Sequence, residues 1–120
     1  LEAHASGTAI ARLASERSGR QLTARQVFAL WHEGDAVATE VISSAAAALG
    51  AALHSVTQLL DPQGIVLGGG VVAGNPQLAS LVHSELAARL SGRPVPVVVT
   101  AGLGGDAGVL GAALLAQAAA

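Results

Sequence analysis

The sequence predicts an α/β chain, rich in helix, whose sheet is incomplete. Three observations predict it. First, a long helix-forming stretch stops at Asp61-Pro62, and an apolar run, Ile65-Val66-Leu67, leads into Gly68-Gly69-Gly70. Proline cannot continue a helix, because its ring fixes φ and removes a donor. An apolar run without alternation is expected of a strand covered on both faces. Second, Val97-Val98-Val99 is a β-branched run, bracketed on its approach by Pro94 and Pro96. Third, apolar residues elsewhere recur at three- and four-residue steps, the helical period. Two strands make a marginal sheet without partners, so the pattern calls for strands from elsewhere.

The elements follow in order. Ser6 or Thr8 caps a first helix reaching about Ser18, and Gly19 ends it. Thr23 is the N-cap of a short helix over Ala24–Trp31, closed by Gly34. Asp35 caps the longest helix, about 36–60, roughly 35–40 Å long at 1.5 Å per residue. Its expected apolar stripe is Val37, Val41, Ala45, Leu49, Leu53, Val56 and Leu60. Asn75-Pro76 starts another helix, with proline in the first turn, and Ser91-Gly92 stops it near Leu90. Gly102, Gly104 and Gly105 make a second turn. Asp106 is then a reasonable N-cap for a last helix from Ala107 to about Ala118.

Composition bounds the function. A chain of 120 residues is ordinarily one domain, with a modest core. The chain has one Phe, one Trp and no Tyr, so the aromatic platform for stacking nucleobases of a single strand is missing. Net charge is −2, and the six arginines are scattered, which leaves no footprint for a nucleic-acid backbone. Zero cysteine removes disulfides and thiolate metal sites from these residues. Residues 107–120 are apolar but too short to span a bilayer, and Ser43, Ser44, His54, Ser55 and Gln58 interrupt the 41–60 stretch. No membrane partner, no nucleic acid and a cytoplasmic setting are therefore expected.

The three glycines stand at the carboxyl end of a strand, where open α/β sheets bind ligands. Bare backbone there suits close approach of a flat or phosphorylated ligand. The alternative is that they only make a tight turn. Leu60-Asp61-Pro62-Gln63-Gly64-Ile65-Val66-Leu67-Gly68-Gly69-Gly70-Val71 resembles the adenosine-site strand and turn of ROK-family proteins, which are sugar kinases and sugar-responsive repressors. Leu1-Glu2-Ala3-His4-Ala5-Ser6-Gly7-Thr8-Ala9-Ile10 resembles the segment after that family's cysteine-rich zinc loop, and Gly104–Ala113 the start of its last helix. The resemblance covers nearly all 120 residues.

The resemblance implies the C-terminal part of an actin-like (ribonuclease H-like) ATPase lobe over 1–120, without the N-terminal lobe and zinc loop. It implies ATP-dependent phosphoryl transfer to the 6-hydroxyl of glucose or a related hexose, with Mg²⁺ on the phosphates and lobe closure around both substrates. The family's Asp-x-Gly-Gly-Thr phosphate motif and its Gly-Asn-Asp segment with the catalytic aspartate have no match here, so no catalytic residue is assigned. Its structural zinc, held by a histidine and three cysteines, is expected upstream of Leu1. Glu2 corresponds to the glutamate that accepts hydrogen bonds from sugar hydroxyls, a role suited to an ionised carboxylate. A solvated terminal glutamate is the plainer alternative.

Gly68, Gly69, Gly70, Val71 and Asn75 are the ATP-binding candidates; Gly104, Gly105 and Asp106 could edge the same cleft, though Asp106 reads better as a cap. No metal ligand is assigned: His4 lacks companions, and His32, His54 and His83 read as isolated surface or satisfied histidines. Glu16 and Arg20 form at most a solvated helix pair. Two other readings remain: a repressor lobe of the same family, or an inactive truncated fragment that oligomerises through helix 36–60. A homo-oligomer is expected.

Overall fold

The computed structural model describes residues 1–119; Ala120 lies outside them. The elements are α1 (Glu2–Ala5), α2 (Gly7–Ser18), α3 (Ala24–His32), α4 (Ala36–Leu60), β1 (Gly64–Leu67), α5 (Gly70–Ala73), α6 (Gln77–Leu90), β2 (Val97–Thr100), a 3₁₀ turn (Gly104–Asp106) and α7 (Ala107–Ala118). Helix termini follow local chemistry. The Ser6 hydroxyl accepts from the Ala9 N–H, and Gly19 ends α2 in the left-handed region at φ 68°. Thr23 and Gln26 form a reciprocal capping box on α3. The Asp35 carboxylate accepts from the Ala38 N–H at the start of α4. At the other end of α4, Asp61 turns left-handed ahead of Pro62.

The core lies between α2, α3, α4 and α6. Ile10, Val27, Val41, Ile42 and Val82 are fully buried in it, with Phe28 and Ala46 beside them. Helix α4 is long and apolar enough to cross a membrane by length and composition. In this fold it is the centre of the helix cluster, packed on α1, α2, α3 and α6. The buried face runs through Ala38, Val41, Ile42, Ala45, Ala46 and Gly50 to Thr57. That differs from the expected stripe at its far end, where Val56 and Leu60 are exposed. Small residues at Ala45, Ala46 and Gly50 rotate the contact face toward the closest-packed side, and the last turn runs beyond its neighbours.

β1 and β2 are parallel, in register Gly64 with Val97 through Leu67 with Thr100, and α5 and α6 form the crossover between them. The expectation of strands covered on both faces is corrected. Both strands alternate exposed and half-buried residues: Ile65 and Leu67 turn toward the helices, while Val66 is 65% exposed. The helices cover one face of this two-stranded sheet, and nothing among the described residues covers the other.

Two smaller expectations also change. Glu16 pairs with Arg12, at 2.9 Å, and not with Arg20; Gly19 breaks the helix, so Arg20 is carried off the α2 face. Asp106 stands at the head of α7 but makes no side-chain cap bond, because the 3₁₀ turn already runs into the helix there. α1, α5 and the 3₁₀ turn were not foreseen; each is a single turn, too short to show a period.

Candidate functional site

The glycine turn is where the elements converge. β1 delivers Gly68 to the carboxyl end of the sheet, beside the end of β2: a Cβ on Gly68 would touch the Ala101 Cβ at 3.8 Å. Gly69 then adopts φ +106°, a conformation that side chains disfavour, and turns the chain into α5. Around Gly69 and Gly70 there is open space; a Cβ on either would meet no atom within 4 Å.

Two hollows border this turn, and a third lies at α1. The smallest, about 250 Å³, lies between the glycines and α1 and α4, lined by Gly68, Gly69, Gly70, Ser6 and Leu49. A second, about 630 Å³ and mostly apolar, opens on the other side of α5. Its walls are Gly70, Val71 and Asn75 on one side and Arg25, Phe28 and His32 of α3 on the other. The third, about 600 Å³, holds Glu2 with Ser6, Thr8 and Arg12. Ser6 lines both the Glu2 hollow and the glycine hollow. Gly70 and Val71 line both the glycine hollow and the α3 hollow. The glycine hollow is thus the neighbour of both others, sharing lining residues with each.

Each predicted residue is thereby placed. Gly68 to Gly70, Val71 and Asn75 lie together, though on two sides of one turn. Glu2 is exposed on α1, near the same turn but in its own hollow. Gly104 to Asp106 form a 3₁₀ turn packed against α5. The sequence reading missed the α3 wall. Arg25, Phe28, Ala29 and His32 share one face of α3 at three- and four-residue spacing, and that face lines the hollow. The spacing was visible in the sequence; its neighbour across the hollow was not.

His32 Nε2 lies 3.3 Å from Asn75 Oδ1, and Asn75 Nδ2 donates to the Val71 carbonyl at 2.8 Å. Gly7 matters at the opposite end of α3. A Cβ there would meet Val71 Cγ2 at 3.2 Å and Ala24 Cβ at 3.7 Å, so the start of α2 fits closely between α5 and α3, and a larger residue would have to displace the Val71 side chain.

The parallel β–α–β unit with its glycine turn and long helix has the actin-like ATPase fold of the ROK kinases on which it superposes. The chain belongs to the ROK family, whose model matches residues 1–119. It is 39% identical over 116 residues to the bifunctional enzyme NanE/NanK of Brucella melitensis, covering 97% of this chain and 22% of that protein. The ROK hexokinase of Thermus thermophilus superposes with a TM-score of 0.83 at 36% identity, over 94% of this chain and 39% of its own. A ROK glucokinase of Streptomyces griseus, solved with glucose and AMPPNP, superposes with a TM-score of 0.85 at 29% identity, over 95% and 43%. The chain therefore spans less than half the length of each of these relatives.

Proposed function

We propose that this chain is the C-terminal part of an ATP-dependent sugar kinase that phosphorylates the 6-hydroxyl of glucose or a related hexose. One observation carries the reading: the Glu2 hollow shares Ser6 with the glycine hollow, which in turn shares Gly70 and Val71 with the α3 hollow, so the three are neighbours along α1 and the glycine turn. Sugar at Glu2, phosphates past the glycines and adenosine against α3 would put the transferred group between the two substrates. The Glu2 carboxylate would orient the sugar by accepting hydrogen bonds from its hydroxyls. The glycines would let phosphate and ribose approach backbone N–H groups without side chains in the way. The mostly apolar α3 hollow would exclude water from the base. The Streptomyces relative, solved with both glucose and AMPPNP, supports a hexose and a nucleotide as the two substrates.

The general base is assigned to no residue here. Among the described residues no three His, Cys, Asp or Glu side chains come together as metal ligands. Mg²⁺ would thus ride on the nucleotide phosphates and on groups other than these, and a structural zinc would have its ligands elsewhere. A cytoplasmic location follows from the need for ATP. The test is a coupled assay on the full-length protein with a panel of hexoses and ATP. ATP consumption that depends on a hexose is expected, and residues 1–120 alone should give none. A folded full-length protein whose ATP consumption no hexose of the panel stimulates overturns the reading.

A further inference from the structure

Asn75 and His32 stand on opposite walls of the α3 hollow, 43 residues apart in sequence. Three contacts fix how they meet. The Asn75 amide nitrogen donates to the Val71 carbonyl at 2.8 Å, which decides the orientation of the amide. The Asn75 oxygen is thereby turned toward α3, 3.3 Å from His32 Nε2. An amide oxygen only accepts, so the network assigns the proton to Nε2; the Nε2–H tautomer and the imidazolium both satisfy it. The third contact holds the ring itself. The His32 ring packs against Trp31, with centroids 4.9 Å apart, and Trp31 meets the buried Phe28 edge-on at 6.0 Å. His32 is therefore anchored to the core on one side and to the turn after α5 on the other.

The hollow is held at both ends of α3. At Ala24, Gly7 sits between α3 and Val71 with no room for a larger residue to enter freely. At His32, eight residues or about 12 Å further along the helix, the Asn75 bond closes the other end. Both atoms of the Asn75 amide are engaged within the protein, which leaves one N–H and one lone pair for any ligand.

Building on the nucleotide reading above, we propose that His32 is a positioning residue: its hydrogen bond to Asn75 is a clasp that sets the separation of α3 from the glycine turn, and so the affinity for the nucleotide. Asn75 is the far half of that clasp, and shapes the wall in preference to reading the base.

The test is calorimetric titration of the full-length protein with AMPPNP, alongside the KM and kcat for ATP. His32→Phe keeps a ring against Trp31 and removes the donor. His32→Gln keeps a donor, since a glutamine amide nitrogen reaches much the same place as Nε2. His32→Phe should weaken AMPPNP by about two- to tenfold, the effect of one partly exposed neutral hydrogen bond, with the change in KM and not in kcat. His32→Gln should bind within about twofold of the parent, and Asn75→Ala combined with His32→Phe should be no weaker than Asn75→Ala alone. Unchanged binding by His32→Phe, no rescue by glutamine, or additive losses in the double variant would overturn the clasp while leaving the nucleotide site standing. A folded parent that binds no AMPPNP would overturn both.

Discussion

Gly50 of α4 and Glu85 of α6 meet where the two helices touch backbone to backbone. A Cβ on Gly50 would lie 2.7 Å from Glu85 Cβ, 3.1 Å from its carbonyl carbon and 3.3 Å from the Leu86 nitrogen. The crowding atoms belong to a helix backbone and cannot swing aside. α4 and α6 form the largest helix contact in the chain, so moving them disturbs Leu86 and Leu90 together. Gly50→Ala should therefore destabilise by about 1–3 kcal/mol, the usual cost of overpacking. The gain in helix propensity, about 0.5–1 kcal/mol, is too small to reverse the sign. Gly111→Ala in α7, where a Cβ meets nothing within 4 Å, should be neutral or slightly stabilising. Denaturant midpoints of the two variants check this. A more stable Gly50→Ala variant would mean that the helices are farther apart.

The second prediction concerns the open faces. Val66 and Val99 project from the uncovered side of the sheet, and Leu59 and Leu60 extend from the last turn of α4. α7 buries none of its residues, and Val109, Leu114 and Leu115 stand in the open. An apolar surface of this extent, beside two free strand edges, favours association. Residues 1–120 produced alone should scatter light as dimers or larger species. Val66→Thr with Val99→Thr should shift the distribution toward monomer. A cooperatively melting monomer without these substitutions would count against a homo-oligomer.

Much of this architecture was legible because it is local. Thr23, Asp35, Gly19 and the Pro62 break each act within a few residues, and each element boundary they set matches the structure closely. The glycine turn was legible for the same reason: β1 and the turn after it follow from a short apolar run ending in glycines, while the choice of Gly69 for positive φ does not. What was not legible depends on distant partners. The α4 stripe was drawn by hydropathy, but the close pass at Gly50 sets which side is inside. His32 read as an isolated histidine because its partner is 43 residues away. The strand run Ile65–Leu67 read as doubly covered because composition reports apolarity, not which neighbours are at hand.

The third prediction addresses the sugar end. Glu2 is exposed in its hollow, with Ser6 and Thr8 hydroxyls and the Arg12 side chain along the same lining. Arg12 is already paired to Glu16 through two hydrogen bonds, which leaves the Glu2 carboxylate for a ligand. Glu2→Gln in the full-length protein removes a charge-assisted acceptor at the sugar and should cost roughly 1.5–3 kcal/mol there. The specificity constant for the hexose should fall by about ten- to a hundredfold, with the KM for ATP little changed. Steady-state kinetics with each substrate varied in turn measures this. An unaltered hexose constant would make Glu2 a surface residue.

The last prediction tests the nucleotide end, and the structure chooses the residue. Gly69 sits at φ +106°, so any side chain there is strained whether or not a ligand is present. Valine at Gly69 would confound a folding defect with a binding defect. Gly70 has no such constraint: its φ is not in the left-handed region, and a Cβ on it meets no protein atom within 4 Å. It is also shared by the glycine hollow and the α3 hollow, directly on the path assigned to the nucleotide. Gly70→Val should leave the fold intact, because a Cβ there has open space around it and the residue borders two hollows that can receive the added methyls. They would occupy volume that a ribose or phosphate needs. The KM for ATP should rise at least about tenfold, the equivalent of roughly 1.4 kcal/mol, while hexose binding measured without nucleotide stays as it was. Gly70→Ala should show a smaller defect of the same kind. The melting temperature of each variant serves as the control. If Gly70→Val folds, binds hexose and uses ATP like the parent, nothing passes the glycine turn, and the adenosine assignment fails with it.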